Sequence, residues 1–213
     1  MVKLAVEVAG QACKEADIDV SSVATVFASS MGDTEITDYM CRALAKETKV
    51  LSPTRFHNSV HNAPAGYWSI SSANREPSSS TAGSRESFAV GLLEAATLSV
   101  SDSRPVLLVA SDIMVPEPLG SAYPIGEAFG VGLIIDAGAV DAEWDLSVVE
   151  SGQRGLLPDV HHPLLATISE ANPAARGLAL LEAIAVGGEP AVQWPLNDFV
   201  SVRMARTTGV NVA

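Results

Sequence analysis

A chain of 213 residues that is 47% hydrophobic and 18% charged can bury a core, and its length fits one domain with a small addition. Asp and Glu number 25 against 13 Lys and Arg, a net charge of −12. Nucleic acid and anionic membranes both require a positive face, so neither is an expected partner; the charge reads first as an ordinary acidic surface and, as the sharper alternative, as that of a subunit that pairs with a more basic protein. Two cysteines exclude a disulfide scaffold and a four-cysteine metal site.

From Val2 to Ala16 the apolar residues Val2, Leu4, Ala5, Val8, Ala9, Ala12 and Cys13 fall at helical spacing. Lys3, Glu7, Lys14 and Glu15 interrupt this stretch, which a signal peptide would not tolerate. No apolar run reaches the roughly 18 residues of a membrane span, and the expected location is the cytoplasm. Val23 to Ala28 reads as a buried parallel strand. Thr34 is placed to cap a helix through Glu47, with Ile36, Tyr39, Met40, Ala43 and Leu44 on one face.

Ser52-Pro53 opens a loop, because proline cannot continue a helix and restricts the residue before it. A helix is expected to start near Pro64, where the missing amide costs little. Pro77 to Ala82 is polar and reads alone as a loop. Ser87 to Val100 is a helix, Pro105 to Ala110 a buried strand, and Ile113 to Tyr123 a loop with two prolines. Ala128 to Asp136 and Trp144 to Val149 are two more strands. Apolar strands separated by helices predict an α/β fold with a mainly parallel sheet. Near residue 150 the character changes, so residues 1–150 form one unit and 151–213 a C-terminal α+β appendage. There Gly152 to His162 reads as loop, a helix runs from Asn172-Pro173 to Val186, and Ala191–Trp194 with Phe199–Met204 form a possible hairpin.

Common catalytic motifs are missing. There is no G-x-S-x-G elbow, no phosphate-binding P-loop and no G-x-G-x-x-G after a strand; Gly126, Gly130 and Gly132 read as packing positions. His57 and His61 have helical ligand spacing, but Pro64 argues against helix at His57 and no carboxylate stands beside them. His161-His162 reads as a solvated turn. Cys13 and Cys41 lie on apolar helix faces and read as buried structural thiols. No metal and no cofactor is expected.

The run Leu51 to Ser111 resembles the N-terminal half of β-ketoacyl-acyl carrier protein synthases, condensing enzymes of the thiolase fold. In that family a Ser-Pro, an Asn, an Ala-Gly helix, a turn with proline, a polar strand, a helix and a further strand follow in order. Here Ser52-Pro53, Asn62, Ala65-Gly66, Pro77, Ser78 to Ala82, Ser87 to Val100 and Val106 to Ala110 match without a gap. The stretch Ile125 to Asp136 resembles the glycine-rich strand that closes the half. The phrase SPTRFHNSVHNAPAGYWSI looks most like the short, half-length partners found with aryl-polyene and related pigment pathways.

The resemblance implies a thiolase-like half with a five-stranded type of sheet, and a nucleophilic cysteine at the junction after the polar strand. The ungapped match puts Arg85 there, and a shift of one or two residues gives Ser84 or Gly83. The two histidine motifs of the condensing reaction are also missing. The implied function is therefore a degenerate, non-catalytic subunit resembling a chain-length factor. It would support a catalytic ketosynthase in fatty-acid, polyketide or aryl-polyene-type biosynthesis, with the acyl carrier protein docking mainly on that partner. Ser78, Ser79, Ser80 and Thr81 would form the dimer-interface strand. Phe56, Tyr67 and Trp68 are candidates for gating the acyl tunnel, with ordinary core packing the competing reading for Phe56 and Trp68. Two rival readings stand beside this one: an acyltransferase that uses Ser84 in place of the thiol, and a homodimeric binding or scaffolding protein.

The family's strand order of 3-2-1-4-5 carries one more expectation. The first recognisable strand here, Val23 to Ala28, corresponds to the family's second. The central strand would then precede Met1, Met1 would be an internal methionine, and the chain alone would leave two strand edges unpaired around a slot in the core.

Overall fold

The computed structural model describes residues 1–139, 143–151, 157–186 and 191–207. Its first sheet contains β1 (Ala24–Ala28), β2 (Ser78–Thr81), β3 (Val106–Asp112) and β4 (Phe129–Ile135) in the order β2-β1-β3-β4. The first three strands are parallel, and β4 runs antiparallel to β3. This is the expected family order with its first member left out. The expected slot is not there: Ala24–Ala28 pairs directly with Val106–Ala110, so the two flanking strands close up and the sheet is continuous. The sheet has four strands among the described residues, not five.

Strand alternation builds two cores. Ala24, Val26 and Ala28 of β1, with Val106, Leu108 and Ala110 of β3, face one side. Val23 and Phe27, with Leu107 and Val109, face the other. Every residue of β1 and β3 is buried, which is why both read as continuous apolar runs rather than alternating ones. Each fully buried Val or Leu contributes about 1.5–3 kcal/mol.

The second side is covered by α1 (Val2–Glu15) and α4 (Ala63–Ser71). Ala5, Ala9 and Cys13 of α1 pack there with Ala65 and Trp68 of α4. Helix α1 approaches β4 closely because β4 offers glycines. A Cβ on Gly132 would lie 2.8 Å from the Cβ of Ala12, and one on Gly130 2.9 Å from Val8 Cγ2. Both are packing positions, as expected. Burial raises the Cys13 thiol above its ordinary value. Cys41, in α2 (Thr34–Leu44), is exposed instead of buried. Asp33, not Thr34, caps α2 by accepting from the Ile36 amide at 3.1 Å.

The first side carries α5 (Ser87–Asp102) and α8 (Leu178–Val186), and beyond them lies a second sheet. Helix α5 is apolar nearly all round, as a helix between two sheets should be. The second sheet contains β5 (Trp144–Glu150), β6 (Ala191–Pro195) and β7 (Val200–Arg206) in the order β5-β7-β6, all antiparallel. Strand β5 therefore pairs inside the second sheet, although by sequence position it was grouped with the first. Val192, Trp194, Val202 and Met204 of this sheet share one core cluster with α5 and α8. The result is a helix layer, a sheet, a helix layer and a second sheet.

Four elements differ from the sequence reading. Pro53–His57 is a short helix, α3, because Ser52 caps it and Pro53 takes its first turn. Leu119–Ala122 is a short helix, α6, and Pro163–Ala171 is a helix, α7. The stretch after Asn172 opens as a 3-10 turn, Pro173–Gly177, and becomes α-helical only from Leu178. Residues 152–156 of the expected loop lie outside the described residues. No helix among the described residues is long and apolar enough to cross a membrane.

Candidate functional site

The parallel strands β1, β2 and β3 end on the same side of the sheet. There β2 gives way to Ala82 and Gly83, a 3-10 turn Ser84–Glu86, and the start of α5. This is the strand-to-helix junction where a nucleophile would sit over helix N-terminal amides. Its three positions are Gly83, Ser84 and Arg85, none of them a cysteine. A Cβ on Gly83 would lie 2.7 Å from Val90 Cγ2 and 3.1 Å from the Glu86 carbonyl, so the backbone there is closed to a side chain. Ser84 is exposed, has the left-handed φ of 51°, and lies with its Oγ 3.4 Å from the Tyr123 hydroxyl. The Arg85 guanidinium stands 5.3 Å over the Tyr123 ring.

No histidine stands at the junction among the described contacts. His57 is exposed. His61 is half-buried near Gly32, and its Nε2 has no hydrogen-bond partner. His161 Nδ1 lies 3.1 Å from Glu182 on the far unit. The amides of His161 and His162 donate to the same carboxylate, and these bonds hold Glu182 below the usual carboxylate range. No group of three potential metal ligands occurs among the described residues.

The side of the junction facing the second sheet is filled. Glu86 pairs with Arg176, which is buried. Ser87 donates to the Ser84 carbonyl. Asp112, at the end of β3, accepts from the Ser30 amide at 2.8 Å and the Ser30 hydroxyl at 2.6 Å. It also accepts from the Ala174 amide at 3.2 Å. Burial raises the Asp112 carboxyl above its ordinary value, and the bonds from Ser30 and Ala174 oppose that rise. Sequence reasoning missed Asp112 and Arg176. Asp112 ends an apolar strand and Arg176 lies in a proline-started turn, and nothing in either pattern marks that the two elements meet.

The tunnel-gate candidates separate. Trp68 is 4% exposed and packs between α1 and the sheet, inside this chain's own core. Phe56 is 61% and Tyr67 40% exposed, and Tyr67 donates to Asn58 Oδ1 at 3.1 Å. Helix α3, which carries Phe56, buries no residue at all. The interface-strand candidates Ser78, Ser79, Ser80 and Thr81 form β2, at the edge of the sheet. Its other edge has no partner among the described residues, and the buried Ser80 hydroxyl has no hydrogen bond. A cavity of about 1040 Å³ lies away from the junction, lined by Ala183, Val192, Gln193 and Arg203.

Over residues 1–188 the sequence matches the family described as β-ketoacyl synthase, N-terminal domain. Among solved structures, the chain is similar to one from the complex of the ketosynthase ApeO with its chain length factor ApeC from Xenorhabdus doucetiae. The identity is 24% and the TM-score 0.72, over 96% of this chain and 76% of that one. It is also similar to the ishigamide ketosynthase/chain length factor, with 15% identity and a TM-score of 0.57 over 88% and 73% of the two chains. A third likeness is to the 3-oxoacyl-(acyl carrier protein) synthase III of Pseudomonas aeruginosa PAO1. There the identity is 15% and the TM-score 0.55, over 98% and 84%. No curated protein matches the sequence. The solved structures establish the thiolase-like α/β fold, and the sequence match establishes the lineage: the chain belongs to the β-ketoacyl synthase N-terminal domain family.

Proposed function

We propose that this chain is a non-catalytic ketosynthase-like subunit, of the chain-length-factor kind, that pairs with a catalytic ketosynthase and shapes its acyl tunnel. One observation carries the reading. After β2 the chain turns through Ser84–Glu86 into α5, and this junction holds Gly83, Ser84 and Arg85 where the reaction needs a thiol. A Claisen condensation also needs groups that stabilise the thioester oxyanion and the carbanion formed by decarboxylation. Neither a thiol nor a histidine is available at this junction.

Its surface supports pairing. The open edge of β2 can add a strand from a partner, with main-chain bonds giving affinity. Helix α4, which meets β2, exposes Tyr67 and Ile70, and the preceding segment exposes Phe56 and Val60. An exposed apolar group of this kind marks an interaction surface. Phe56 and Tyr67 are the residues placed to close the end of a partner's tunnel. The structural likeness to a ketosynthase–chain length factor complex supports a ketosynthase as that partner. The charge of −12 favours docking of the acidic acyl carrier protein on the partner instead of on this chain. The setting is cytoplasmic fatty-acid, polyketide or aryl-polyene-type biosynthesis.

Coexpression with a full-length ketosynthase of the same family tests the reading. A stable one-to-one complex, with no homodimer of this chain alone, is the expected result. A homodimer that ignores the ketosynthase favours the scaffolding alternative and overturns the proposal.

A further inference from the structure

The turn Asn172–Gly177 lies where the parallel strands of the first sheet end. In open α/β sheets the crevice outside the carboxyl ends of the strands is the place for ligands. Here the chain's own backbone occupies it. Pro173, Ala174, Ala175, Arg176 and Gly177 are all buried. The Ala174 amide donates to Asp112 at the end of β3, and Asn172 Nδ2 donates to the Glu127 carbonyl just before β4, at 2.9 Å. The Trp194 indole donates to the Arg176 carbonyl at 2.9 Å. Gly177 sits so close to Phe88 that a Cβ would come within 2.6 Å of the ring. The turn is thus tied to both sheets and to α5.

Its charge matters as much as its bulk. The start of α5 is the positive end of a 16-residue helix, which favours an anion. Glu86, the residue before the helix, supplies that anion, and Arg176 neutralises it. The contact is made by a terminal guanidinium nitrogen of Arg176, and its buried Nε has no hydrogen-bond partner among the described residues, so Glu86 is the acid this guanidinium meets.

We propose that Asn172–Gly177 is an internal plug, which fills the ligand crevice with backbone and, through the Arg176–Glu86 pair, uses up the anion-stabilising start of α5. The proposal rests on the non-catalytic reading and gives it a second cause. The junction lacks more than a thiol, because the helix start that would help activate one is met by the Glu86 carboxylate, leaving Arg85 as the neighbouring cation.

The test is the pH dependence of alkylation by iodoacetamide at a thiol placed on the exposed junction, with Cys41→Ser in every variant to remove the background. The Ser84→Cys thiol is expected to titrate at or above the ordinary value of about 8.5. Adding Glu86→Gln leaves Arg176 facing the helix start. It should lower the thiol by at least about one unit, raising the thiolate fraction at pH 7 about tenfold. Adding Arg176→Gln instead should raise it; if that variant does not fold, the Glu86→Gln arm decides. A Ser84→Cys thiol already well below 8.5, or one that Glu86→Gln does not shift, overturns the plug. An acyl adduct on Ser84 of the unaltered chain would instead overturn the non-catalytic reading, and the thiol titrations would stand unaffected.

Discussion

The Phe88 ring on α5 meets the Trp194 ring on β6 with centroids 5.3 Å apart and planes tilted by 57°. Both residues are fully buried. This contact joins the C-terminal unit to the first sheet through the helix layer, and the indole is also hydrogen-bonded to Arg176. The two sheets therefore share one core and should unfold together. Trp194→Ala is expected to cost about 3–5 kcal/mol, in a single transition that circular dichroism and tryptophan fluorescence report at the same denaturant concentration. Two separated transitions would mean that the C-terminal unit folds independently.

Close approach of α1 to β4 depends on glycine. Gly132→Val places branched methyls where Ala12 and the Val8 carbonyl already stand. Overpacking of this kind costs about 1–3 kcal/mol. Gly126→Ala, with nothing within 4 Å of its added Cβ, is the control and should leave the urea midpoint within about 0.5 kcal/mol of the parent. Equal effects at the two positions would show that α1 does not seat on β4 as described.

The free edge of β2 allows a test that separates folding from pairing. Pro77 and Thr81 accept backbone bonds from β1 through Thr25 and Ser29. In a parallel pair the alternate residues, Ser78 and Ser80, turn their amides to the open edge. Ser80→Pro removes an outward amide and no bond within the sheet. The variant should melt close to the parent yet lose the one-to-one complex with the ketosynthase on size-exclusion chromatography. Unchanged complex formation would place the interface elsewhere.

Asp112 gives the fold a pH signature. Its carboxyl is raised by burial, so the folded chain holds the proton to higher pH than the unfolded chain does. The favourable difference is greatest below the unfolded value of about 3.9 and is lost as pH rises through the raised folded value. The groups bonded to the carboxylate, Ser29, Ser30 and the Ala174 amide, do not titrate in this range. Asp112→Asn has no charge to bury. The stability of the parent relative to the Asp112→Asn variant should therefore fall as pH rises above about 3.9 in urea titrations. A relative stability that grows over that range would mean the carboxylate is held below its ordinary value.

The strands and the larger helices were legible because each carries its own local pattern. The apolar run at Val23–Ala28 and the helical spacing at Ser87–Val100 both matched the observed elements within a few residues. The polar run Ser78–Thr81 has no such signal, and only its place in the family order identified it as a strand. Helix α3 was hidden by a rule applied too broadly: proline ends helices, but Pro53 sits in the first turn, where it is tolerated. The closure of β1 onto β3 was not foreseeable from any local pattern, because two fully buried parallel strands carry no information about which neighbour they take. The polar ties among Asp112, Ala174, Glu86 and Arg176 were equally silent. They join residues 62 and 90 positions apart, and single-sequence periodicity does not reach that far.

The central claim, that the junction carries no acyl chemistry, meets its most direct test in intact-mass and peptide mass spectrometry of the chain after incubation with an acyl thioester on acyl carrier protein. The account predicts an unmodified mass and no adduct on residues 83 to 87, both alone and with the ketosynthase present. A covalent acyl group on Ser84, formed in proportion to time and lost in Ser84→Ala, would contradict it and establish the serine acyltransferase reading instead.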